Sequence, residues 1–325
     1  MTSIRVVPKG GRGVPVEVNL DTQLGALSLP SPILTASGCA ASGKELSQFV
    51  DLTTIGAVVT KSIMMSPRSG RATPRMAETP SGMLNSIGLQ GPGVDEFLEH
   101  DVPWLASKGV RTIVSIAGND VEEFGRLAAR VRRAGDSVIA LEVNISCPNV
   151  ANRGLVFACQ AHSAAEVIST VRRNVGGAFP IFAKLSPDVT DIVEIAQACV
   201  DAGATGLSLI NTLLGMVINT ETLTPALAGV TGGLSGPAIR PVAVRAVWQV
   251  HAALPKIPLI GMGGILTGED AFQFILAGAS AIAIGTANFH DPSALTRVQN
   301  ELSLILAERG FSSLQDAIGF AHRKA

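Results

Sequence analysis

Short runs rich in β-branched and other apolar residues alternate with longer stretches whose apolar positions recur every three or four residues, and the alternation continues along the chain. Continuous apolar runs read as buried strands, and a period of about 3.6 residues reads as amphipathic helix. Strands are expected at 33–36, 57–60, 112–116, 138–145, 181–184, 206–210, 258–261 and 281–285. Between them the spacing predicts helices at 94–107, 121–134, 164–174, 191–202, 238–254 and 269–277. Ser163 and Glu166 match a capping box, and Gly109, Gly135, Gly203 and Gly278 sit where helices should stop.

Strands regularly alternating with helices mark the α/β class with parallel βα units. A chain of 325 residues exceeds the ~250 that a (β/α)8 TIM barrel needs, so a single barrel domain over 1–325 is favoured over an open doubly wound sheet. The surplus falls in two Gly-, Pro-, Ser- and Thr-rich segments, 66–92 and 219–237, each after a strand. In a barrel such insertions cover the C-terminal mouth, where active sites are built.

Composition removes several functions. Hydrophobic residues make up 47 %, and 25 basic side chains balance 26 acidic ones, so the chain folds and carries no field that would attract nucleic acid. Aromatics are 4 %, with no tyrosine, too few to stack bases. The uncharged stretches 202–220 and 271–289 are broken by glycine and polar residues, so no membrane span is expected. Near the N-terminus, Arg5 and Lys9 lead into glycines rather than an apolar export signal. Cys39, Cys147, Cys159 and Cys199 lie far apart without metal-ligand spacing, which predicts no bound metal and a reducing cytoplasm.

Polar residues collect where strands end: Lys61, Asn144, Lys184 and Asn211. Any one of them could merely cap a wet rim, but a barrel brings all four together. The last two strands run into Gly261-Met262-Gly263-Gly264 and Gly285-Thr286, loops that commonly hold a phosphate in this architecture, although glycines also make tight turns. Cys147 stands at a strand end in Asn144-Ile-Ser-Cys-Pro-Asn149. A free cysteine is usually a small buried hydrophobe, yet a thiol with a pKa near ~8.5 displayed at the mouth suits a general base. The five histidines are scattered and read as structural or solvated.

These segments, with Lys184-Leu-Ser-Pro187, Asn211-Thr-Leu-Leu-Gly-Met216, Gly232-Gly-Leu-Ser-Gly-Pro237, Thr35-Ala-Ser-Gly38, Thr60-Lys61, Pro74-Arg75 and Asn85-Ser-Ile-Gly-Leu-Gln90, resemble the dihydroorotate dehydrogenases, specifically the class 1B catalytic subunit. The likeness runs in order from about Leu29 to Phe289. It implies oxidation of (S)-dihydroorotate to orotate in de novo pyrimidine synthesis, with one FMN per chain at the barrel mouth. Cys147 would take the C5 proton while hydride passes from C6 to the flavin. Lys61, Asn85, Ser86, Ile87, Gly88, Leu89, Asn144, Asn149, Asn211 and Thr212 would hold the substrate. FMN would lie against Ser37, Lys61, Ser62, Ser115, Asn144, Lys184, Ile210 and Gly236, its phosphate on Gly263, Gly264, Gly285 and Thr286. Two departures stand out: Ser115 replaces the family's usual asparagine, and Val150-Ala-Asn-Arg-Gly154 replaces its lysine-and-glycine pattern.

Electrons must then leave. The cysteine base and short polar N-terminus disfavour the quinone-linked class, and neither a dinucleotide fingerprint nor cluster-ligand spacing occurs in the chain. The resemblance therefore implies NAD+ as final acceptor through a partner subunit carrying FAD and a [2Fe-2S] cluster, on a core homodimer that two partners extend to a heterotetramer. Fumarate as acceptor, a different dihydropyrimidine substrate, a flavin-free phosphate-binding isomerase or lyase, and a noncatalytic binding barrel are the alternatives.

Overall fold

The computed structural model describes residues 3–6, 16–146 and 160–323. Its largest sheet has eight strands: β1 (Ile33–Thr35), β2 (Val58–Val59), β3 (Thr112–Ile116), β4 (Val138–Asn144), β5 (Ile181–Lys184), β6 (Gly206–Leu209), β7 (Leu259–Met262) and β8 (Ala281–Ile284). Each pairs in parallel with the next, β8 returns to β1, and a parallel bridge from Leu34 to Ala57 joins β1 to β2. This is the expected (β/α)8 barrel.

Both faces of the strands are buried, which is why they read as unbroken apolar runs. Inward positions such as Leu34, Val59, Ile113, Ala140, Phe182 and Ile260 fill the barrel, while Ile33, Val58, Val114, Leu141, Ala183 and Ile282 pack outward under the helices. The hairpin Thr22–Leu24 with Leu27–Leu29 inserts Leu24 and Leu29 into the interior cluster from below. The mouth is therefore the open end.

Helices α1 (Val121–Arg132), α2 (Ala161–Val175), α3 (Ile192–Asp201), α4 (Arg240–Ala253) and α5 (Gly268–Leu276) follow β3, β4, β5, β6 and β7. Three expectations are corrected. The stretch 94–107 is a composite, Val94–Glu96, a π-helical Phe97–Asp101 and Val102–Ser107; Pro103 in the first turn of the last piece has no N–H for the preceding turn. The Ser163 capping box is absent, because α2 begins three residues earlier behind an extended Gln160; the reciprocal box is Thr267 with Asp270 at α5. A helix not expected, α6 (Ala294–Glu308), packs on α5 and on the strand pair Ser3–Val6 and Val16–Asn19.

At the end of α5, Gly278 has φ +115°, and a Cβ there would stand 2.1 Å from Cγ of His251 on α4. Behind His251 lies His322, stacked on Trp248 with 3.6 Å between ring centroids. Gly278→Ala should therefore destabilise the fold by about 3 kcal/mol, from the backbone conformation and the forced shift of a packed imidazole. A thermal melt followed by circular dichroism checks this: the midpoint is expected to fall by several degrees, and an unchanged midpoint refutes it.

The two insertions meet over the mouth. Met76–Thr79 and Gly82–Asn85 from the first, with Leu213–Gly215 and Gly232–Ser235 from the segment after β6, form a four-stranded antiparallel sheet. Neither segment could form this sheet alone.

Candidate active site

A cavity of about 410 Å³ lies between the strand ends and this second sheet. Its floor and walls come from Ser37 and Cys39 after β1, Lys61 and Ser62 after β2, Asn144 at the end of β4, Lys184 at the end of β5, and Ile210, Asn211 and Thr212 after β6. Gly263 and Gly264 after β7 and Gly285 and Thr286 after β8 close one side, and Asn85, Ile87, Gly88, Leu89 and Gly236 cover it. Most of the sequence-predicted site is thus assembled around one space. Ser86 and Ser115 are buried and stand behind the wall: Ser86 accepts from Arg71 at 3.1 Å, and the Ser115 hydroxyl meets that of Ser62 at 2.9 Å. Cys147, Asn149, Cys159 and the 150–154 segment lie outside the described residues.

A chain of hydrogen bonds fixes the polar side. Asn144 Nδ2 donates to Ser62 Oγ at 3.0 Å, and Asn144 Oδ1 accepts from Ser146 Oγ at 2.9 Å. Asn211 Nδ2 donates to Ser146 Oγ at 2.8 Å and to the Ser146 carbonyl at 3.2 Å, while its Oδ1 accepts from the Thr212 N–H at 2.9 Å. The amides of two strands are therefore locked in opposite senses, and the peptide leading into Cys147 is held by Asn211. Ser146 was missed as a positioning residue; its signal was its place two residues beyond Asn144 in the same hexapeptide. Met83, Gln90, Ser235 and Ile239 also line the cavity without having been expected there.

Charge and donors decide what fits. Among the described lining residues, the only formally charged ones are Lys61 and Lys184. Lys184 is 4 % exposed, donates to Ser37 Oγ at 3.0 Å, and stands 3.8 Å from Glu142 Oε1. The N–H groups of Gly263, Gly264, Gly285 and Thr286 donate to no described acceptor, so an anion seated between the two loops would find four backbone donors. The first loop is itself braced: Arg240 donates to the Gly264 carbonyl at 3.2 Å and pairs with Asp270 at 2.5 Å, which caps α5. Two lysines, amides and backbone donors without a carboxylate define a receptor for anionic, amide-bearing molecules.

The other thiols differ. Cys39 lines the cavity half-buried; burial pushes its pKa up, against Lys184 and then Lys61, which pull it down. Cys199 is fully buried in α3 with its pKa pushed up to about 12, in keeping with a structural role. No group of three metal-ligating side chains occurs among the described residues, and no described helix is long and apolar enough to cross a membrane.

Fold and site together define a (β/α)8 barrel with a cluster of backbone N–H donors after the last two strands and an amide- and lysine-lined pocket beside it. The family model described as dihydroorotate dehydrogenase matches residues 19–306, and the chain belongs to that family. It is 50 % identical over 307 residues to a protein of Desulforamulus reducens named dihydroorotate dehydrogenase B (NAD(+)), catalytic subunit, covering 94 % of this chain and all of that one. Relatives of the same name from Geotalea daltonii, 48 % identical over 93 % of this chain and 97 % of theirs, and from Desulforudis audaxviator, 49 % over 95 % and 99 %, agree.

Proposed function

We propose that the chain, acting over 1–325 as one FMN-binding barrel domain, is the catalytic subunit of an NAD+-linked dihydroorotate dehydrogenase. It oxidises (S)-dihydroorotate to orotate in pyrimidine synthesis. The supporting observation is the cavity itself: two lysines as the charged groups of its described lining, amides facing in beside them, and backbone N–H donors of two glycine loops, in a member of this family.

FMN, when bound, supplies the hydride acceptor. Gly263, Gly264, Gly285 and Thr286 would hold its phosphate, and Ser37, Ser62, Ile210 and Gly236 its remainder. Lys184 would set a positive charge beside the ring and so favour its uptake of hydride. Asn85, Asn144, Asn211 and Thr212, with Asn149, orient the substrate carboxylate and ring amides, since a primary amide both donates and accepts. Lys61 neutralises the carboxylate. Cys147 takes the C5 proton as the C6 hydride departs, so the substrate loses one proton and one hydride.

Electrons then pass to NAD+ through a partner subunit holding FAD and a [2Fe-2S] cluster, in the cytoplasm. The assembly is a homodimer that two partners extend to a heterotetramer. Leu214, Met216, Ile218 and Leu223, the last 81 % exposed, form an apolar run beside the mouth that suits a subunit interface.

Anaerobic mixing tests the reading. Dihydroorotate should bleach the flavin within the mixing experiment and dihydrouracil should not. Reduced protein should return to the oxidised spectrum with NAD+ only when cell extract supplies the partner, and slowly with fumarate or menaquinone alone. Rapid unaided reoxidation by either of these acceptors refutes the partner claim; a chain that binds no flavin refutes the whole reading.

A further inference from the structure

Glu142 is unused in this account. It lies on β4 two residues before Asn144, so both side chains point into the barrel, Glu142 one layer deeper. Its neighbours in register are Ser115 on β3 and Phe182 on β5, while Asn144 is level with Lys184. The side chain is 1 % exposed, and neither carboxylate oxygen has a hydrogen-bond partner among the described residues. A buried carboxylate in that condition is costly unless a cation lies beside it. One does: Lys184 Nζ at 3.8 Å, beyond hydrogen-bond range but close enough for ion pairing.

We propose that Glu142 is a positioning counter-ion that holds the Lys184 ammonium between itself and Ser37, and thereby limits the positive charge that the bound FMN ring experiences. The inference rests on the proposed FMN site. Three observations support it. Lys184 touches the cavity whereas Glu142 does not, so the carboxylate acts through the lysine. Ser37 accepts one ammonium hydrogen at 3.0 Å, which sets the head group from one side; the carboxylate sets it from below. Ser208, level with Lys184 on β6, also has a buried hydroxyl with no partner, so no neighbouring polar group on that strand relieves the carboxylate. In so dry a layer, charge is weakly screened and the loss of one negative group is felt by the ring above.

The readout is the flavin potential of the FMN-loaded protein, measured by anaerobic dye-coupled titration. Glu142→Gln keeps the shape and removes the charge, so reduced FMN should be favoured about tenfold more than in the parent, a positive shift of about 30 mV for a two-electron couple. Glu142→Asp, which withdraws the carboxylate by one methylene, should move the potential the same way by less, and carries the test should the glutamine variant not fold. In a Lys184→Met background, the effect of Glu142→Gln should shrink well below the shift seen with the lysine present, because the ammonium through which the carboxylate acts is gone. FMN bound with an unshifted potential in the folded Glu142 variants overturns the inference, as does an undiminished shift in the Lys184→Met background. Failure of the parent chain to bind FMN overturns the underlying function instead.

Discussion

Cys147→Ser should retain FMN and lose between about 10² and 10⁴ of its rate of flavin reduction by dihydroorotate, the span that a positioned general base contributes. The hydroxyl is nearly isosteric with the thiol but far less acidic, so near neutrality it cannot hold the negative charge from which a base takes up a proton. Binding should survive, since Asn85, Asn211, Lys61 and the phosphate loops are contributed by other parts of the mouth. The pH profile gives the sign: reduction by the parent chain should rise as pH climbs through the thiol pKa and then level off, because only the thiolate accepts the C5 proton. Stopped-flow bleaching of the flavin at several pH values measures both. A serine variant that bleaches as fast as the parent, or a parent rate that falls with rising pH over that range, removes Cys147 from the role.

The barrel was legible because parallel strands buried on both faces must be apolar throughout, and several of the helices between them stop at or just before a glycine. Its polar strand ends were legible for the converse reason: Lys61, Asn144, Lys184 and Asn211 each interrupt an apolar run at its last turn of chain. What the sequence did not disclose were pairings that depend on register between distant strands. Asn144 meets Ser62 across 82 positions and Asn211 meets Ser146 across 65, and no local pattern encodes either. The fate of Ser115 is of the same kind, its hydroxyl turned to Ser62 instead of into the cavity. Glu142 was different. The Glu-x-Asn alternation at 142–144 already placed both side chains on one face, but the apolar run around it gave no sign that Lys184 would stand beside it. Helix α6 was not expected, although Leu295, Val298, Leu302, Ile305 and Leu306 stand at helical spacing, because the alternation of strands and helices is already complete at the eighth strand. The start of α2 was not: Ser163 and Glu166 satisfy the local motif, yet the extended backbone that a cap requires falls at Gln160.

Gly264→Ala should bind FMN at least about tenfold more weakly while leaving the secondary structure intact. Gly264 has φ +73°, and a Cβ would lie 2.6 Å from the Gly236 carbonyl and 2.9 Å from Arg240 Cβ. The left-handed conformation costs an alanine about 1–2 kcal/mol, which helps drive the loop out of it, and each ~1.4 kcal/mol of anion binding lost in that movement is a tenfold drop in affinity. The close contact adds to this, because a carbonyl oxygen is not the end of a flexible side chain and the loop after β7 must move to relieve it. Such a movement draws the Gly263 and Gly264 N–H groups away from the anion and loosens the Arg240 bond to the Gly264 carbonyl. Gly310 supplies the control, having φ +79° with no atom within 4 Å of its Cβ position, at a site away from the cavity lining. Gly310→Ala should lose comparable backbone stability and keep its flavin. The measurement is FMN content after exhaustive dialysis, with titration of free FMN into each apoprotein. If Gly264→Ala retains flavin as the Gly310 control does, the loop after β7 does not hold the phosphate, and the cradle must be sought in the Gly285–Thr286 turn alone.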